Sequence, residues 1–147
     1  MNGKIIFFSV FFLLATGVVS AQNKNAPKSN ISTNAIIKKY HVKEELEGMK
    51  KGELLELYIE RIKVLVKTLP YIALATKPGV TMNDLGIPND ADNRKILAGQ
   101  DESTTNFLDV NVAFQRRMVP YSDTDNLVKA ILFYENTLKS LHEFNDL

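Results

Sequence analysis

Two histidines, 17 carboxylates and no cysteine bound the chemistry open to this chain of 147 residues. The lack of Cys removes disulfides, thiolate zinc sites and thiol nucleophiles together. His41 and His142 stand about a hundred residues apart, and neither belongs to a His-x-x-x-His or other clustered ligand spacing, so both read as surface histidines. Asp90-Ala-Asp92-Asn93 resembles the opening of a calcium loop, with Asp101 at the twelfth position. Arg94 and Lys95 occupy the places where an oxygen ligand and a glycine are needed, and a cation there would meet two positive charges. The acids are better read as caps on a helix N-terminus, and no metal site or cofactor is expected.

Covalent catalysis fares no better. No Gly-x-Ser-x-Gly elbow and no glycine-rich phosphate loop is present. Glu53, Glu56 and Glu60 have the spacing of a solvated helix face, and Arg116-Arg117 has the place of positive charge at a helix C-terminus. No catalytic residue is assigned, and the chain reads as a non-enzyme. The remaining catalytic alternative is a cleft that gathers Glu60, Arg116 or His142 by folding.

Aromatic residues are the more suggestive class. Tyr58, Tyr71, Phe114 and Tyr134 fall on expected inner faces, and together they would line a pocket for a small apolar ligand. Residues 76–89 form the longest non-periodic stretch, with Lys77, Val80, Met82, Asp84, Leu85 and Ile87 as candidate lid or partner contacts. The apolar members of that loop equally suit a plug on the end of a helical bundle. Thr81-Met82-Asn83-Asp84 has the form of a capping box, Gly86 can close the turn it starts, and Lys77-Pro78-Gly79 is a turn signal.

These candidates must be positioned by helices. The stretch Glu53–Leu74 carries Leu55, Tyr58, Ile62, Leu65, Leu69 and Ile72 at alternating three- and four-residue steps. Further apolar residues widen the stripe, which predicts contact from two sides. Glu53, Glu56 and Glu60 followed by Arg61, Lys63 and Lys67 read as its polar face, ordered to suit the helix dipole. Pro70 predicts a kink in a helix spanning 53–75, and Gly52 is the expected N-cap. Residues 35–49 read as one or two short helices. Residues 89–119 read as one helix or two, with Gly99 and the polar run 100–105 at the weak point and an inner stripe of Phe107, Val110, Phe114 and Met118. Leu127, Ile131, Tyr134, Leu138 and Leu141 mark the last helix, which runs to about Phe144.

The beginning of the chain is different in kind. Lys4, the apolar run Ile5–Ala15 and the small-x-small signature Val19-Ser20-Ala21 read as a secretory signal peptide over 1–21, cleaved after Ala21. Residues 22–34 are polar and read as a flexible leader; Asn30-Ile31-Ser32 matches a short glycosylation sequon that also arises by chance. Loss of Lys4 takes the net charge from +1 to zero, so no global field recruits nucleic acid or an anionic membrane. Hydrophobic residues make up 45 %, enough for a folded domain.

The expectation is therefore all-α: a small antiparallel bundle of about four helices forming one domain over 35–147. The expected function is that of an exported, periplasmic or secreted protein. It binds another protein or supports an envelope assembly, without stable membrane insertion once the signal is removed. A small-ligand carrier is the first alternative.

Overall fold

Residues 27–143 are described by the structure, a computed structural model. The expected signal peptide and cleavage site, and the first part of the expected leader, lie outside the described residues. Within them the protein is all-helical. It consists of α1 (Lys43–Glu47), α2 (Lys51–Thr68), α3 (Ala91–Met118) and α4 (Thr124–Glu143), joined by 3-10 turns at Leu69–Tyr71, Asn83–Leu85 and Val119–Tyr121.

Each boundary has a local cause. Lys50 N–H donates to Glu53 Oε2 at 2.8 Å, which starts α2 two residues ahead of the expected Gly52 cap. Pro70 does not kink a helix that continues to 75. The chain tightens into the 3-10 turn Leu69–Tyr71 and leaves the helix, because Pro70 has no N–H to offer Val66. The same apolar-Pro-Tyr sequence ends α3 in the same way at Val119–Tyr121. Asp90 caps α3, its Oδ1 accepting from Asn93 N–H at 2.8 Å. Gly99 and the polar run after it leave α3 unbroken over 28 residues, about 42 Å of helix.

The three long helices run up, down and up. Glu56 near the start of α2 pairs with Arg116 near the end of α3, while Arg61 in mid-α2 meets Glu135 in mid-α4. α2 is thus the central helix, with α4 as its main neighbour and α3 as its second. Contact from two sides follows, as the width of its stripe predicts. The buried line differs in detail: Leu54, Ile59, Arg61, Ile62, Val64 and Thr68 are buried, whereas Leu69 is exposed. Arg61 therefore belongs to the interior and not to the polar face.

Two apolar clusters form the core. Leu46, Leu54, Leu127, Val128 and Ile131 fill the end where α1, α2 and α4 meet. Ile31, Ala35, Tyr71, Met82 and Leu97 fill the other, where the segment before α1 meets the loop after α2 and the first turns of α3. Residues 27–34 are accordingly no free leader over their described length. Asn30 N–H donates to Val80 O at 2.8 Å, Gly79 N–H donates to Ile31 O at 3.0 Å, and Ile31 is only 1 % exposed. The sequon is closed off with it, since Asn30 is itself buried. Of residues 35–49 only Lys43–Glu47 is helical; His41 N–H is taken by Glu135 instead of by a helical carbonyl.

Candidate functional site

The four aromatic residues expected to share a pocket are divided. Tyr58 and Tyr134 meet across α2 and α4 with ring centroids 5.6 Å apart. Burial, and then a hydrogen bond with Tyr134, push the Tyr58 hydroxyl up to about 12. Tyr71 lies in the other core cluster. Phe114 is exposed on α3. The 76–89 loop lies against the body of the protein. Met82 is core, Ile87 packs beside it, Val80 and Leu85 are half-buried, and of the six candidate contacts Lys77 and Asp84 are exposed. Its local chemistry is as expected: Thr81 N–H and Oγ1 both donate to Asp84 Oδ2, at 2.8 and 2.7 Å, which holds that carboxyl below the usual range, and Gly86 closes the turn at φ +70°.

A charged node crosses the interior. Arg61 is 0 % exposed and Glu135 1 % exposed. Arg61 Nη2 and Nε donate to Glu135 Oε1 at 2.7 and 3.1 Å, and Nη2 also donates to Lys39 O at 2.7 Å. Arg61 Nη1 is paired with Glu60. The second carboxylate oxygen accepts His41 N–H at 2.7 Å. His41 Nδ1 lies 3.1 Å from both Glu135 Oε1 and Arg61 Nη2. As an N–H it donates to the carboxylate; as a bare nitrogen it accepts from the guanidinium. Both charged groups are saturated and closed to solvent, so the node offers no face to a substrate and acts as a cross-link between α2, α4 and the segment before α1. The sequence reading missed it, although its signal is present. Leu54, Arg61 and Thr68 stand seven residues apart on one line of α2, and Glu135 stands between Ile131 and Leu138 on the inner line of α4. The residues of the catalytic alternative have other occupations: Glu60 serves Arg61, Arg116 pairs with Glu56, and His142 is exposed near the end of α4.

Two clefts adjoin the second core cluster. One, of about 290 Å³, is walled by Tyr71, Leu74, Met82, Ile87, Ile96 and Leu97 and reaches Asn30. It unites Tyr71 with two residues of the expected lid. Among the described residues the Asn30 side chain has no hydrogen-bond partner at either Nδ2 or Oδ1. A second cleft, of about 410 Å³, runs beside α2 and is lined by Lys38, Lys63 and Lys67 with Glu60, Ala35, Ile36 and Val64.

The largest departure is on α3. Phe107, Val110, Phe114 and Met118, expected as an inner stripe, are between 50 % and 74 % exposed, and Tyr121 just beyond the helix is 88 % exposed. With 3.6 residues per turn, Ile96, Phe107, Val110, Phe114 and Met118 lie within roughly 80° of arc. Leu97 and Leu108, the two buried residues of α3, lie roughly a quarter turn away. The periodicity is that of an amphipathic helix, yet the face it marks points outward. α2 and α4 already bury their broad faces against each other, and α3 meets α2 along a narrow line. The result is a continuous apolar ridge with no cover inside the described chain. Among the described residues no helix is long and apolar enough to cross a membrane.

Comparison with protein-family models, with curated proteins and with solved structures finds no match to this chain.

Proposed function

We propose that this is an exported, non-catalytic helical protein that acts by binding another protein through the outer ridge of α3, as a component of an envelope assembly. The observation that carries the reading is the ridge from Phe107 to Tyr121. Single exposed apolar side chains need no explanation, but five on one line form a patch of the kind that marks an interaction surface. The helix carries four acids, Asp92, Asp101, Glu102 and Asp109, against four basic residues, Arg94, Lys95, Arg116 and Arg117, so it has no excess of positive charge. That charge pattern suits a protein partner better than an anionic lipid surface, which favours Lys- and Arg-rich flanks. The test is photo-crosslinking in the producing cell. A benzophenone side chain placed at Phe114 is expected to give a discrete protein adduct that disappears with Val110→Asp, while the same group at exposed Lys129 on α4 gives none. Equal labelling from both positions, or none from either, counts against the proposal.

The 290 Å³ cleft supports a second reading, a carrier of a small apolar ligand held against Tyr71, Met82 and Leu97. A naphthylamine dye serves as probe. Binding that survives Val110→Asp but is lost on filling the cleft with Met82→Trp supports it; the reverse dependence assigns the dye to the ridge.

A further inference from the structure

We infer that the ridge of α3 is covered by the same ridge of a second copy of this chain, running antiparallel about a two-fold axis at Val110. This rests on the docking reading above and names its partner. Three features of α3 support it.

The first is an uneven distribution of size. On the exposed line Gly99 and Ser103 leave a gap between Ile96 near the start of the helix and the large residues Phe107, Val110, Phe114 and Met118, followed by Tyr121. A parallel pairing would set large against large and small against small. An antiparallel pairing centred on Val110 sets Tyr121 over Gly99 of the second copy, Met118 over Ser103, and Phe114 beside Phe107. Tyr121 and Met118 then fill the hollows left by Gly99 and Ser103 at both ends of the seam, and the phenylalanines pack about its centre.

The second is Gly99 itself. Gly is the poorest helix former after proline, and it stands well inside α3. A Cβ added there would meet nothing within 4 Å, so nothing in the chain's own fold requires a glycine. A tyrosine from a second copy lying across that turn supplies the missing reason, since a bare backbone permits close approach.

Charge is the third. Glu102 and Arg117 lie on the same flank of the ridge, and among the described residues neither forms an ion pair; the neighbouring Arg116 is already committed to Glu56. Antiparallel helices bring like flanks together. The Val110 axis therefore places Glu102 of each copy near Arg117 of the other, twice by symmetry. Charge reinforces the register that size selects.

Sedimentation equilibrium of the full chain, purified from an exporting host, tests the pairing. Over a dilution series the mass of the wild type is expected to rise towards twice that of the chain. Val110→Asp sets two carboxylates against each other at the axis and is expected to hold the mass at that of one chain throughout. Its circular dichroism should stay unchanged, and its urea midpoint should equal that of the wild type at concentrations where the wild type has single-chain mass, because Val110 touches solvent in the single chain. Glu102→Arg and Arg117→Glu are each expected to weaken association roughly tenfold, and the double reversal to restore it. Wild type at single-chain mass throughout, or a double reversal no better than the single ones, overturns the inference. If the wild type is single-chain while the Phe114 adduct to another protein persists and is lost with Val110→Asp, the second copy is excluded and the docking reading stands. Loss of both excludes both. Co-sedimentation of the wild type, but not Val110→Asp, with phosphatidylglycerol vesicles in the absence of pairing assigns the ridge to a lipid surface and overturns the inference as well.

Discussion

Replacing Arg61 with Met leaves the buried Glu135 carboxylate with only the amide and ring of His41 to meet it among the described residues. Removing one partner of a buried pair costs about 3–5 kcal/mol, whereas replacing both with apolar groups of similar volume is often neutral. Urea unfolding should show the large loss for Arg61→Met and recovery of most of it in Arg61→Met/Glu135→Leu. A double variant as unstable as the single one would mean that the contacts to Lys39 and His41, and not the ion pair, carry the node. Tyr58 makes a separate contribution. Its folded hydroxyl holds its proton up to about pH 12, above the ordinary tyrosine value of 10, so the folded state is favoured while the group is neutral. That stability is fully present below pH 10 and is lost as pH rises through about 12. Burial raises Tyr40 and Tyr71 as well, so Tyr58→Phe should remove part, not all, of the alkaline slope in stability.

At the scale of elements, α3 is the helix under least constraint. Only Leu97 and Leu108 of its residues are buried, and its hold on α2 includes the exposed Arg116–Glu56 pair. Local helix propensity therefore has a direct effect on its stability. Gly99→Ala should stabilise the fold by about 0.5–1 kcal/mol, because the added methyl meets open space and the unfolded chain loses freedom. The urea midpoint is best compared in a Val110→Asp background, where association does not enter. A destabilised variant would show that Gly99 serves the single chain after all.

For the whole molecule, the segment before α1 decides whether the second core cluster exists. Ile31 is as buried as the central leucines, and Ile31→Ala should cost about 2–5 kcal/mol by urea unfolding. A cost near zero would restore residues 27–34 to the status of a leader. Sequence periodicity exposed the helices clearly, because Tyr58, Ile62 and Leu65 in α2 and Leu127, Ile131 and Leu138 in α4 repeat at helical spacing, and Asp90, Thr81 and Gly86 announce their turns. It could not say which apolar stripe would win a partner. Phe107, Val110, Phe114 and Met118 carry as strong a pattern as the buried stripe of α4, but α4 occupies the side of α2 that they would need. A polar segment with one isoleucine also gives no periodic signal, so Ile31 was invisible until its receptor at Tyr71, Met82 and Leu97 was assembled. The aromatics of the expected ligand site are divided for the same reason: Tyr58 and Tyr71 are thirteen residues apart on the chain, and the 3-10 turn at Pro70 sends them to different clusters.

The bridge between Ser29 and Thr81 also sets an order of events. About fifty residues lie between its two sides, so closing it carries a loop-entropy cost that the contacts within α2 do not. α2 itself can form first through local contacts, with this end still open. The amides of Asn30 and Gly79, each bonded across the closure, should then exchange hydrogen at one shared rate, faster than the helical amides around Leu54, as a cap that lifts in one piece.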